Sequence, residues 1–266
     1  MQQPAKTNRL KRGYYRTGPN HRQDQDVSFT DIRQEFGFRC IRLGKWVTKQ
    51  EQQIAANLIF DALADLALIL QVPRQVISLR STLSLAFGTG GQRHNMAHYN
   101  VGTKELALAK NAGGGALAHE WFHAFDHYIC SKFLQLPKSK FASHAWLLGE
   151  EKIDHPLNQA LQKAFSHIFL DASKKHKSSR YFQVAAQVDK QLNQVYYALP
   201  EEMCARAFEA YIQDSRLSNE FLVKGTKQSD EAKVGLYPLD EHRVEVGRYF
   251  SEYFALLGRC LANQMS

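Results

Sequence analysis

The sequence predicts an α+β fold, in which a long helix and a small mixed sheet precede a histidine-bearing helix and a mainly helical C-terminal part. Three observations predict it. Ile54, Leu58, Leu63, Leu66 and Leu70 recur at helical spacing. Short apolar runs separated by turn residues follow between residues 75 and 109, as strands do. From about Leu136 onward helical periodicity returns and dominates.

Taken in chain order, Lys6, Arg9, Lys11, Arg12, Arg16 and Arg22 all precede the first acid, Asp24, and predict a basic, flexible arm over residues 1–25. Residues 26–266 are expected to form one domain, with a sheet lobe at 26–135 and a helical lobe at 136–266. The stretch "VSFTDIRQEFGFRCIRLGKWV" predicts a short helix and then a strand at 38–43. Thr48 with Glu51 three residues on is a capping-box pair that opens the long helix, which Pro73 ends. "QVISL", "LSLAF", "MAHYN" and "ELALA" read as strands of a three- or four-stranded sheet. "PLNQALQKAFSHIFLDA", "PEEMCARAFEAYIQDSRL" and "EHRVEVGRYFSEYFALLGRCLA" read as helices, with polar connections "SKKHKSSR" and "VKGTKQSDEAKVG" between them.

With 266 residues, 44% of them hydrophobic, the chain can bury a sizeable core. Asp61 and Asp65 interrupt its most apolar stretch, so no membrane span is expected. The basic N-terminus has no apolar segment behind it and does not read as a secretory signal, which points to the cytoplasm. Cys40, Cys130, Cys204 and Cys260 lie far apart and are expected to be reduced, buried thiols. A net charge of +8 makes nucleic acid a candidate partner through the basic arm. "GTGGQRH" and "AGGG" lack the lysine of a phosphate loop and the spacing of a dinucleotide site, so they read as turns near a cleft.

"ALAHEWFHAFDHY" carries the chemistry. On a helix, His119 and His123 lie one above the other and can present ring nitrogens to a single metal ion, with Glu120 beside the open coordination position as a general base. There it can take a proton from a zinc-bound water. His127 continues the series, but a span of about 12 Å along one helix is too long for three histidines to converge on one ion. Asp126 reads as a carboxylate supporting a ligand, or as a helix-face ion pair. The third ligand must come from elsewhere, and "ALPEEMCARAFEAY" places Glu202, Arg206 and Glu209 on one helical face. Glu201 and Glu202 would equally suit the positive end of a helix dipole, and spacing leaves both readings open.

These two segments together resemble the gluzincin arrangement, an H-E-x-x-H helix plus a glutamate on a later helix; E-x-x-A-x-A-F is similar to the third-ligand helix of anthrax lethal factor. From about residue 18 to 212, the chain resembles the bacterial CLCA_X family of zinc metallopeptidases and the large polyvalent protein-associated domains of mobile elements. The segments that carry this are "GPNHRQDQDVSFTDI", "FGFRCIRLGKWVTKQEQQIAANLIFDAL", "LAFGTGGQRHNMAHYN", "LALAKNAGGGALAHEWFHAFDHYIC" and "EEMCARAFEAYI". The resemblance implies a zincin-like fold, Zn²⁺ held by His119, His123 and Glu202, Glu120 as general base, and a polypeptide substrate. Arg206 stands where lethal factor has a second glutamate, leaving Glu209 as the acidic support. Tyr196, Tyr197 and His98 are the candidates for stabilising an oxyanion. "MAHYN" would be the edge strand along which an extended substrate lies. Two other readings stay open: a DNA-associated protein, either a binding module with a structural zinc or a protease of DNA-bound proteins, and a scaffold that keeps the zinc helix without peptidase activity.

Overall fold

The computed structural model describes residues 10, 12–89, 97–110, 114–171 and 177–265. Two capping boxes begin the helical framework. Ser28 caps α1 (Phe29–Phe36), with Asp31 reaching back to the Ser28 backbone, and Thr48 with Glu51 does the same for α2 (Lys49–Ile69). Between them lies β1 (Ile41–Leu43), shorter than the strand expected at 38–43. It joins β2 (Ser84–Phe87), β3 (Ala97–Asn100) and β4 (Glu105–Leu108) in one sheet of order β1-β2-β4-β3. The first three strands in that order run parallel; β3 pairs antiparallel with β4, Tyr99 opposite Leu106, and forms the sheet edge.

"QVISL" is not a strand. Residues 74–76 make a 3₁₀ turn, and Leu79, Arg80 and Ser81 all adopt positive φ, which no strand accommodates. Ile77 instead anchors the core helix, its carbonyl accepting from Trp121 Nε1 at 2.9 Å. The MAHYN, LSLAF and ELALA runs do form strands; in the first, Met96 lies outside the described residues.

The rest of the chain is helical: α3 (Leu117–Phe133), α4 (Ala142–Leu147), α5 (Pro156–Phe169), α6 (Arg180–Leu192), α7 (Pro200–Gln213), α8 (Asp230–Lys233) and α9 (Asp240–Met265). The core is continuous from α1 and α2 through the sheet and α3 to α7 and α9. Its densest part is aromatic. Trp121 and Phe122 of α3 lie 5.6 and 4.9 Å from Phe208 of α7, while Phe250 and Phe254 of α9 close over Phe122 and Phe125 at 5.6 and 5.3 Å.

By length and composition α2 alone among the described helices could cross a membrane, yet 61% of its apolar window is buried inside the fold. Among the described residues of the basic arm, Arg16 and Arg22 are held by acids of α2. Arg16 grips the fully buried Asp65 with two hydrogen bonds of 2.6 and 2.8 Å, His21 and Asn219 each approach the same carboxylate at 2.8 Å, and Arg22 pairs with Asp61 at 3.0 Å. A buried carboxylate requires such partners, and the arm supplies them. Lys6, Arg9 and Lys11 lie outside the described residues. All four cysteines are free thiols, but only Cys130 and Cys204 are buried, and Cys40 is exposed.

Removing the carboxylate leaves Arg16 and Asn219 without their shared acceptor. Asp65→Ala is expected to destabilise the fold by about 3 kcal/mol, read from urea unfolding; a change below about 0.5 kcal/mol would show that the arm is not held through Asp65.

Candidate metal centre

The first turn of α3 has no side-chain cap; the loop before α8 supplies acceptors instead. Gly115 N donates to the Phe221 carbonyl at 2.9 Å and Ala118 N to that of Leu222 at 3.0 Å. Gly114 permits this approach, since a Cβ there would lie 2.5 Å from Phe221 Cα. With Trp121, Phe122 and Phe125 turned into the aromatic core, the opposite face of α3 presents His119, Glu120 and His123 toward β3 and the start of α7.

A buried carboxylate fixes that start. Asp189 of α6 accepts hydrogen bonds from the backbone N–H groups of Tyr196, Tyr197 and Ala198 at 3.0, 2.9 and 2.9 Å. Burial favours the neutral acid, but the three bonds outweigh it and hold the Asp189 pKa below its ordinary value. Pro200 then opens α7, and Glu202 faces α3.

His119, His123 and Glu202 each offer one ligand atom, and these atoms all lie within 4.8 Å of one another. His119 Nε2 and His123 Nε2 are 3.0 Å apart, and they lie 3.4 and 3.3 Å from the two oxygens of Glu202. A tetrahedral ion with bonds of 2.0–2.1 Å sets its donors roughly 3.3 Å apart. The spacing fits such an ion, and two imidazoles with one carboxylate are a donor set suited to zinc.

The charges of the cluster favour a cation, whether a proton on His119 or a metal ion that displaces it. Burial opposes a charge on His119, but Glu209 and Glu202 on either side push its pKa up to about 10. Glu202 stays well below the usual carboxylate range in spite of burial, because of both histidines. The cluster is negative enough to retain positive charge away from water.

Surrounding groups fix the orientation. Glu209 accepts from His119 Nδ1 at 2.9 Å, which leaves Nε2 facing the cluster, and Tyr237 donates to the same Glu209 oxygen at 3.2 Å. Arg206 approaches Glu202 at 3.5 Å and lies over the rings of Tyr196 and Tyr197, 5.3 and 4.6 Å from their centroids. Glu120 Oε2 accepts from the backbone N–H of Tyr99 on β3 at 2.7 Å. Tyr196 and His98 line the same cleft of about 460 Å³, whereas Tyr197 does not. Burial first, then the charge of Glu202, raise the pKa of the Tyr196 hydroxyl, so it stays a donor.

Asp126 is not a surface ion pair, though its charge is felt by His123. It is fully buried, no hydrogen bond joins it to either histidine, and it accepts from Ser143 N at 2.9 Å and Ser143 Oγ at 2.5 Å, tying α3 to α4. His127 stands apart from the cluster, its Nδ1 2.7 Å from the Tyr99 hydroxyl. Sequence reasoning missed Asp189, Tyr237 and Phe141, which lines the cleft; Asp189 sits seven residues ahead of Tyr196 with no motif to mark it.

The Asp189 cradle should show in stability. Asp189→Asn is expected to cost about 2 kcal/mol near neutral pH. A depressed folded-state pKa contributes fully above the ordinary carboxylate value and fades as pH falls through the folded one, so the gap between variant and wild type should narrow in acid. Urea unfolding at several pH values tests this, and a gap independent of pH would remove the charge from the explanation.

Among known proteins, residues 188–261 match the family model of large polyvalent protein-associated domain 1. The match includes Glu202, Arg206 and Glu209 but not the histidine helix, and it runs on into α9, past the resemblance read from sequence. No curated protein and no solved structure matches the chain significantly.

Proposed function

We propose that the chain is a zinc-dependent peptidase of gluzincin type with a zincin-like fold, acting on polypeptides in the cytoplasm. One observation carries the reading: three side chains from two helices far apart in sequence bring metal-binding atoms within 4.8 Å of one another. His119, His123 and Glu202 would hold the ion. Zinc bound there supplies Lewis-acid chemistry, making water more acidic and polarising a carbonyl.

The remaining work falls to the chain's own groups. Glu120, steadied through Oε2 by Tyr99 N–H, keeps its other oxygen for taking a proton from the attacking water and passing it to the leaving nitrogen. The Tyr196 hydroxyl, beside Glu202 at the cleft, is the best-placed donor to the developing oxyanion, with His98 on β3 as the other group lining the cleft. β3 is an edge strand alongside that cleft, so an extended polypeptide can lie parallel to it with its carbonyl near the cluster. The DNA-associated reading draws less support, because Arg16 and Arg22 are engaged by Asp65 and Asp61.

Metal analysis and peptide hydrolysis test the assignment. Wild type is expected to carry one zinc per chain and His123→Ala to lose it; full retention would remove His123 from the ligand set. Glu120→Gln should keep zinc while hydrolysis falls at least ~100-fold, and undiminished turnover would sink the general-base role. Glu209→Gln should weaken zinc binding ~10–100-fold, since Glu209 orients His119; unchanged affinity would make that contact incidental.

A further inference from the structure

A second cavity lies one turn further along α3. It has a volume of about 350 Å³ and is separated from the cleft by Tyr99, which lines both. Its lining includes Lys104 from the turn after β3, Lys132 from the end of α3 and Lys140 from the loop that follows, together with His127, and contains no aspartate or glutamate. Among the described residues none of the three lysines forms an ion pair. Their charge is felt inside. Burial first, then Lys104 and Lys140, lower the pKa of His127; burial, then Arg80 and Lys104, lower that of Lys132. The three lysines are exposed around the cavity mouth, Lys132 lying over the Tyr128 ring at 3.9 Å, and Glu150, which accepts from the lining residue Ser139, is the acid nearest by contact; three cations around one concave space attract an anion.

The position of the cavity says which anion. His127 follows His123 by one helical turn, about 5–6 Å along α3. An extended chain advances about 3.3 Å per residue, so a side chain within two residues of the bond at the cluster reaches this cavity. Tyr99 sits at the junction, its hydroxyl already engaged by His127. We infer that this cavity is a specificity subsite for an acidic side chain, and that the preferred substrates are polypeptides with aspartate or glutamate within two residues of the scissile bond. The inference rests on the peptidase reading of the neighbouring cluster. Lys104, Lys132 and Lys140 meet the carboxylate, while Tyr99 and His127 form the wall between subsite and cleft.

Two measurements separate the subsite from that reading. In the first, full-length Glu120→Gln protein is titrated with a fluorescent decapeptide containing glutamates and with its glutamine counterpart. The acidic peptide is expected to bind ~10-fold more tightly, with the preference fading as salt is added. Lys104→Ala/Lys132→Ala/Lys140→Ala should abolish the preference, and the corresponding triple arginine variant should retain it. Equal affinities for the two peptides, or a preference that survives the alanine variant, would overturn the subsite; so would nonspecific duplex DNA displacing the acidic peptide at lower concentration than the peptide itself, which would mark a phosphate-binding surface. In the second, a peptide-library profile of wild type is expected to show acids enriched beside the cleaved bond. Cleavage indifferent to acids overturns the subsite and leaves the peptidase reading standing, whereas no cleavage beside an intact binding preference overturns the peptidase reading and, with it, the substrate role of the site, leaving an acidic-peptide binding site.

Discussion

The packing of Phe208 against Trp121 and Phe122 sets the distance between α7 and α3, and the candidate metal centre exists only at that distance. Gathering two histidines and two glutamates out of water costs several kcal/mol per charged group. Burying each of the large aromatic side chains of the α3, α7 and α9 core returns roughly 4–6 kcal/mol, taken as an upper bound. Several aromatic side chains together thus offset a cost that no single one of them could. Phe208 lies one residue before Glu209, so the same turn of α7 carries both the wedge and the carboxylate that orients His119.

How much of this was legible follows from where each contact lies in the chain. Thr48 with Glu51, and the H-E-x-x-H series, are local: partners three or four residues apart declare themselves by spacing, and α2 and α3 begin and run as expected. The third carboxylate is not local. Spacing left Glu202 level with a helix-dipole reading, and it is the fold that brings it to His119 and His123. "QVISL" misled because an apolar run of five reads the same in a strand as in a turn, and the positive φ values of Leu79, Arg80 and Ser81 have no glycine to signal them. Asp126 sits at ligand-supporting spacing, and its hydrogen-bond partner Ser143 comes from α4, outside the motif. Arg16 and Arg22 read as solvated in the sequence because their partners, Asp65 and Asp61, lie far along the chain on α2.

Helix α3 serves three environments at once. One face is aromatic and dry, another meets Glu202 and Glu209, and its C-terminal end borders a cavity rimmed by lysines. A helix repeats its faces every turn, so opposite electrostatic demands only a turn apart draw on groups from several elements: α7 supplies the negative charge, and the turn after β3, the end of α3 and the loop after it supply positive charge.

The Asp65 carboxylate ties more than the N-terminal segment. Asn219, which donates to it at 2.8 Å, heads the loop whose Phe221 and Leu222 carbonyls receive Gly115 and Ala118 at the start of α3. Arg16, Asp65, Asn219 and the first turn of α3 thus form one mechanical linkage. A displacement of Arg16 is therefore passed through this linkage to the helix that carries both histidines.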